Sequence, residues 1–105
     1  MNRSIVVLIT AKNKTQARKI AQGLLKDRLM ACANIIEGVE SMFLWQGKID
    51  KASEVLLIIK THQKVFDKLV AKVKLLHSYQ TPEIIALPVV QGSEDYLKWI
   101  EESVS

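Results

Sequence analysis

Apolar residues along this chain alternate between strand-like runs and helical spacing. Ser4 to Thr10 is β-branched and almost wholly apolar, the pattern of a strand covered on both faces. Asn13 then offers a helix N-cap, with Gln16 in the capping-box position. Ala17, Ile20, Ala21, Leu24 and Leu25 follow at helical spacing, with Arg18, Lys19, Gln22 and Lys26 opposite. Gly23 costs that helix about 1 kcal/mol relative to alanine. Met30 to Trp45 and Lys48 to Thr61 read as two strands joined near Gln46-Gly47. Phe66, Leu69, Val70, Val73 and Leu76 form the stripe of a second helix from Gln63 to His77. Pro82 pushes the residue before it out of helix, so Tyr79 to Glu83 is a loop. A last strand runs from Ile84 to Val90. Ser93 then caps a terminal helix with Tyr96, Leu97, Ile100 and Val104 on one side.

The order is β-α-β-β-α-β with a trailing helix, which predicts an α+β domain of the ferredoxin-like split βαβ type. At 105 residues the chain is one domain, 1–105, with a core large enough to fold without a disulfide or a metal. Pro88 tests the topology. Proline cannot donate to a ladder, so its strand belongs at an edge, as the fourth strand does in this arrangement. The first and third strands, the most continuously apolar, belong in the centre.

Two features predict a homo-oligomer. Two helices cover one face of a four-stranded sheet, yet Ile5 to Ile9, Met42 to Trp45 and Val55 to Ile59 put apolar side chains on both faces. Met30 to Trp45, if extended, also spans roughly 50 Å, whereas a compact domain of this size is only about 34 Å across. The long hairpin of the second and third strands, Met30 to Trp45 and Lys48 to Thr61, therefore overhangs its subunit, less so if Glu37-Gly38 bends it.

Composition narrows the setting. No apolar run approaches the ~20 residues of a membrane span, and Met1 to Ser4 shows no cleavage signal, so the expectation is a cytoplasmic protein without a membrane role. The one cysteine, Cys32, calls for no oxidising compartment. A net charge of +4 comes mostly from lysines on helix faces. Few aromatics interleave with them, and a nucleic-acid partner is not expected.

Several segments together resemble the CutA-type divalent-cation tolerance family. They are Ala31-Cys32-Ala33-Asn34-Ile35, Phe43 to Ile49, Glu54 with Ile59-Lys60-Thr61, His77 to Pro88, and Gly92 with Tyr96 to Ile100. The resemblance covers nearly the whole chain in order. It implies a PII-like homotrimer of ferredoxin-like subunits, cytoplasmic, linked with tolerance to divalent cations and to copper in particular. It also places Trp45, Lys60, Tyr79, Gln80, Pro82 and Glu83 near subunit boundaries, in a ligand cleft or simply in the interface.

For metal, the candidate ligands are Cys32 and His77, a thiolate suiting reduced copper and an imidazole the divalent ion. Both fall where the family pattern has them. Copper or another divalent cation is the expected cofactor, not required for folding. No pair has metal-ligand spacing, so one subunit offers no complete site. The plainer reading of Cys32 is a small buried hydrophobe, and that of His77 a polar helix end. His62 reads as an exposed helix start. Glu54 and Glu83 are carboxylates with no identifiable partner, and no catalytic motif occurs, so an enzyme is not expected. Met-x-Cys-x-x-Cys and the aromatics of an RNA-recognition strand are also missing. The alternative is a PII-like sensor or adaptor that binds a small anion through Lys60 in the inter-subunit cleft.

Overall fold

The computed structural model describes residues 2–105. β1 (Ser4–Ala11), α1 (Lys14–Lys26), β2 (Cys32–Trp45), β3 (Lys48–His62), α2 (Phe66–Leu76), β4 (Ile85–Pro88) and α3 (Glu94–Ser103) follow in the expected order. The sheet runs β2-β3-β1-β4 with every neighbouring pair antiparallel. β1 and β3 are central. Pro88 lies on the edge strand, opposite Ile5, where its missing N–H breaks no inner ladder.

Strand parity divides the side chains between two faces. Ile5, Val7, Ile9 and Ala11 of β1 stand in register with Thr61, Ile59, Leu57 and Val55 of β3, and all eight are buried. They pack under Ala17, Ile20 and Leu24 of α1 and Leu69 and Val73 of α2, which form one core with them. The alternate residues point to the other face. There Val6 pairs with Lys60, Leu8 with Ile58 and Thr10 with Leu56. Ile36 joins them from β2, and Ile85 and Leu87 from β4.

Local chemistry explains the boundaries. The Asn13 side chain accepts the Gln16 N–H at 2.8 Å, the expected cap. α1 ends in a Schellman motif: Leu29 N–H bonds Leu24 O at 2.8 Å and Arg28 N–H bonds Leu25 O at 3.0 Å. Arg28 takes the left-handed position (φ 57) that glycine usually fills. Its guanidinium offsets that cost by donating to the Glu102 and Ser103 carbonyls at 3.2 and 3.4 Å, capping the end of α3. At Gly23 α1 and α2 approach closely: a Cβ there would lie 2.5 Å from Leu76 Cδ1, and the leucine side chain would have to shift.

Several limits differ from the sequence expectation. β2 starts at Cys32, because Met30 turns into the core and is 2% exposed. The second helix begins with a 3₁₀ turn, Gln63–Val65, and ends at Leu76, His77 being extended. β4 is shorter, Ile85–Pro88, although Val89 N–H still reaches Ser4 O at 3.1 Å. Leu25 lies off the core stripe, exposed beside Lys26.

The hairpin is long. β2 and β3 run together to a two-residue turn at Gln46 (φ 51) and Gly47 (φ 78), positive at both positions as a type I′ turn requires. A bulge between Ile36 and Val39 bends the strand and shortens its reach. The molecule still measures 44 × 26 × 23 Å, its long axis well beyond that of a sphere of this mass. Gly47→Ala meets no neighbouring atom, so its penalty is purely conformational. It is expected to lower unfolding free energy by about 1 kcal/mol in urea melts.

Candidate functional site

The loop after α2 is fixed by hydrogen bonds from distant segments. Gln16 does not close a capping box. Its side chain crosses to the end of α2, where Nε2 donates to Leu76 O at 3.1 Å and Oε1 accepts the Ser78 N–H at 3.0 Å. His77 is buried. Its Nε2 lies 2.7 Å from Thr10 O, a carbonyl that only accepts, so Nε2 carries the proton. Nδ1 accepts the Tyr79 N–H at 3.0 Å. Both ring nitrogens are thereby engaged, and the lone pair that a metal would need is already used. A metal at His77 would have to displace one of these two bonds, through which the imidazole sets the course of the loop.

Tyr79 packs against that ring at a 44° tilt, with centroids 4.7 Å apart, and its hydroxyl donates to Glu54 Oε2 at 2.8 Å. Glu54 thus has a partner 25 residues away, contrary to its reading as an isolated carboxylate. Burial, and then the hydrogen bond and charge of Glu54, push the Tyr79 pKa up to about 12. Pro82 is half-buried in the loop; Gln80 and Glu83 are exposed.

A second group lies on the open face of the sheet. Cys32 and Lys60 are cross-strand partners, and the Lys60 ammonium donates to the Asn34 side chain. Cys32 Sγ is 3.5 Å from the hydroxyl of Tyr96, which α3 lays over it. Cys32 is half-buried, not sealed in the core. That contact, first with the thiol and then through burial, raises the Tyr96 pKa. Tyr96 also packs on Trp99, with rings 5.5 Å apart.

The two groups do not meet within one chain. Thr10, which receives His77, lies four residues along β1 from the row shared by Val6, Lys60 and Cys32, about 13 Å away. Glu54 is six residues along β3 from Lys60, about 20 Å. Trp45 pairs with Lys48 at the hairpin tip, twelve residues from Lys60, about 40 Å. Trp45, Lys60 and Tyr79 therefore line no common cleft of a single subunit. Among the described residues, no three His, Cys, Asp or Glu side chains converge as a metal site.

The sequence profile described as CutA1 divalent ion tolerance protein matches residues 5–103. The chain belongs to that family. The Thermus thermophilus protein named divalent-cation tolerance protein CutA is 46% identical over 98 residues, which cover 93% of this chain and 95% of that one. A solved structure of the divalent cation tolerance protein Cut A1 from Thermus thermophilus superposes with a TM-score of 0.96 at 44% identity, covering 97% of this chain and 99% of that one. The Arabidopsis thaliana protein named CutA, chloroplastic, is 44% identical over 100 residues, which cover 95% of this chain; the chain spans only 55% of that relative's length. The ferredoxin-like architecture read from the element order is the architecture of the family's solved structures.

Gln16, Asn34, Glu54 and Tyr96 are the residues of these groups whose roles no local pattern discloses. Their partners lie 25 to 64 residues away. Only the fold unites them.

Tyr79→Phe removes the bond to Glu54 and is expected to lower stability by about 1 kcal/mol in denaturant melts, because a half-buried carboxylate regains water. The native state favours the neutral phenol. The stabilisation tied to that proton is therefore complete below pH 10 and lost as pH rises toward about 12. Absorbance titration of phenolate should show a phase near pH 12 in the wild type that Tyr79→Phe lacks, leaving only the Tyr96 phase.

Proposed function

We propose that this chain acts in divalent-cation tolerance as a cytoplasmic homotrimer whose binding sites are completed between copies. The observation that carries the reading is the open face of the sheet. Ile85, Leu87 and Ile36 are 50, 48 and 43% exposed there, beside the half-buried Val6, Leu8, Leu56 and Ile58. The hairpin tip adds Met42, Phe43, Leu44, Trp45 and Ile49, all exposed. Exposed apolar surface of this extent is characteristic of an interaction face. Another copy of the chain supplies a matching apolar face, and the overhanging hairpin supplies an unpaired edge for it to join.

Metal enters through Cys32. Its thiol sits on the same open face, across the strands from Lys60. One thiolate is not a site, so the other donors come from neighbouring copies, and reduced copper is among the metals a thiolate favours. His77 takes no part. No helix of the described residues is long and apolar enough to cross a membrane. A free, half-buried thiol suits the reducing cytoplasm. The family description, divalent ion tolerance, supports binding in place of catalysis.

A second reading rests on Lys60 alone. An ammonium on a sheet face, once enclosed by a neighbour's hairpin and loop, would hold a small anion as a PII-like sensor does. Inorganic phosphate is then expected to raise the melting temperature of the wild type and not of Lys60→Ala.

Two substitutions test the main reading. Ile58→Glu puts a charge in the centre of the open face while leaving the helix-covered core intact, and should dissociate the assembly to monomers in sedimentation runs. Copper titration should produce a thiolate-to-metal absorption band that Cys32→Ala abolishes. Equal copper binding by the two proteins would remove Cys32 from the account.

A further inference from the structure

His62 stands where helix starts usually carry Ser, Thr, Asp or Asn. Expected to be exposed, it is buried, and its ring does the capping: Nδ1 accepts the Lys64 N–H at 3.0 Å. An imidazole that accepts at Nδ1 is neutral and holds its proton on Nε2. That atom is 3.6 Å from Glu101 Oε2 of α3. Lys64 ties the same elements together a second time, donating from Nζ to Glu101 O at 3.2 Å. One turn of chain thus fastens the end of β3 to the start of α2 and to α3. Unlike a hydroxyl or amide cap, this one depends on a lone pair that a proton from solvent can occupy.

The charged groups facing the ring come from every element around it. Arg3 precedes β1, Lys64 lies in the 3₁₀ turn, and Glu101 projects from α3. A cleft of about 480 Å³ opens beside the ring and is lined by Arg3, Glu94, Asp95, Lys98 and Glu101. It gives a charged imidazole somewhere to turn.

We propose that His62 is a proton-operated latch: neutral, it caps the turn that starts α2; protonated, it leaves the Lys64 N–H without an acceptor, turns into the cleft toward the carboxylates of α3, and frees that turn. Burial above all, and then Lys64, hold the ring's pKa below its usual 6.5, Glu101 pulling the other way and Arg3 adding to the depression. The folded state therefore prefers the neutral ring. The latch is fully closed above about pH 6.5 and is lost as pH falls through the folded value. The inference stands apart from the assembly and metal readings, since each of its atoms belongs to one chain and none is a proposed ligand.

Amide hydrogen exchange on the intact protein tests it, followed at Gln63 to Val65 between about pH 7.5 and pH 5 and corrected for intrinsic exchange. The wild type is expected to lose protection there by about tenfold. His62→Asn, whose Oδ1 accepts the same N–H but does not titrate, should hold its protection constant. An equal loss in both proteins, or none in the wild type, overturns the proposal. Should the variant fail to fold, imidazole NMR of the wild type decides. A His62 midpoint below 6.5 that coincides with a shift of the Lys64 amide supports the latch, and a higher midpoint or an unresponsive amide rejects it.

Discussion

A sheet has two faces, and this chain has helices enough for one. Alternation along β1 and β3 sends Ile5, Val7, Ile9 and Ala11, with Val55, Leu57, Ile59 and Thr61, under α1 and α2, where they are buried. The same alternation sends Val6, Leu8, Leu56 and Ile58 the other way. α3 reaches that side only at one end, through Tyr96 over Cys32 and Glu101 beside His62. Ile5 to Ile9 of β1 and Val55 to Ile59 of β3 are apolar without a break, so these stretches present apolar side chains to both faces. The site residues follow from this arrangement. Cys32, Asn34 and Lys60 lie on the open face, and Trp45 is carried away from it on the hairpin.

Long-range polar contacts then fix what hydrophobic packing leaves loose. The connection from α2 to β4 is a loop whose backbone groups need partners. Gln16 supplies two, His77 joins Thr10 to Tyr79, and Tyr79 reaches Glu54. Both His77 ring nitrogens are thereby tied into the fold, while the Cys32 thiol keeps accessible surface.

Much of the architecture was legible in the residues. The strand order followed from where Pro88 could go and from which strands were most apolar, and it is the order observed. The turn at Gln46-Gly47 and the caps at Asn13 and Ser93 are local chemistry, and they fell where expected. The site was less legible. Trp45, Lys60 and Tyr79 are near one another in no local sense, and the structure spaces them along one hairpin and a loop. His62 reads as a helix start but not as buried, because its cover comes from Glu101 on α3, far along the chain. Glu54 could not be paired for the same reason. Backbone signals act over a few residues, whereas side-chain partnerships are decided by topology.

The account depends on copies of this chain occupying the open face. Sedimentation equilibrium of the wild-type protein at micromolar concentration measures that directly. The account predicts a single species of three times the chain mass of 11.9 kDa. A folded particle of that mass alone, with Ile85 and Leu87 facing water, would contradict it.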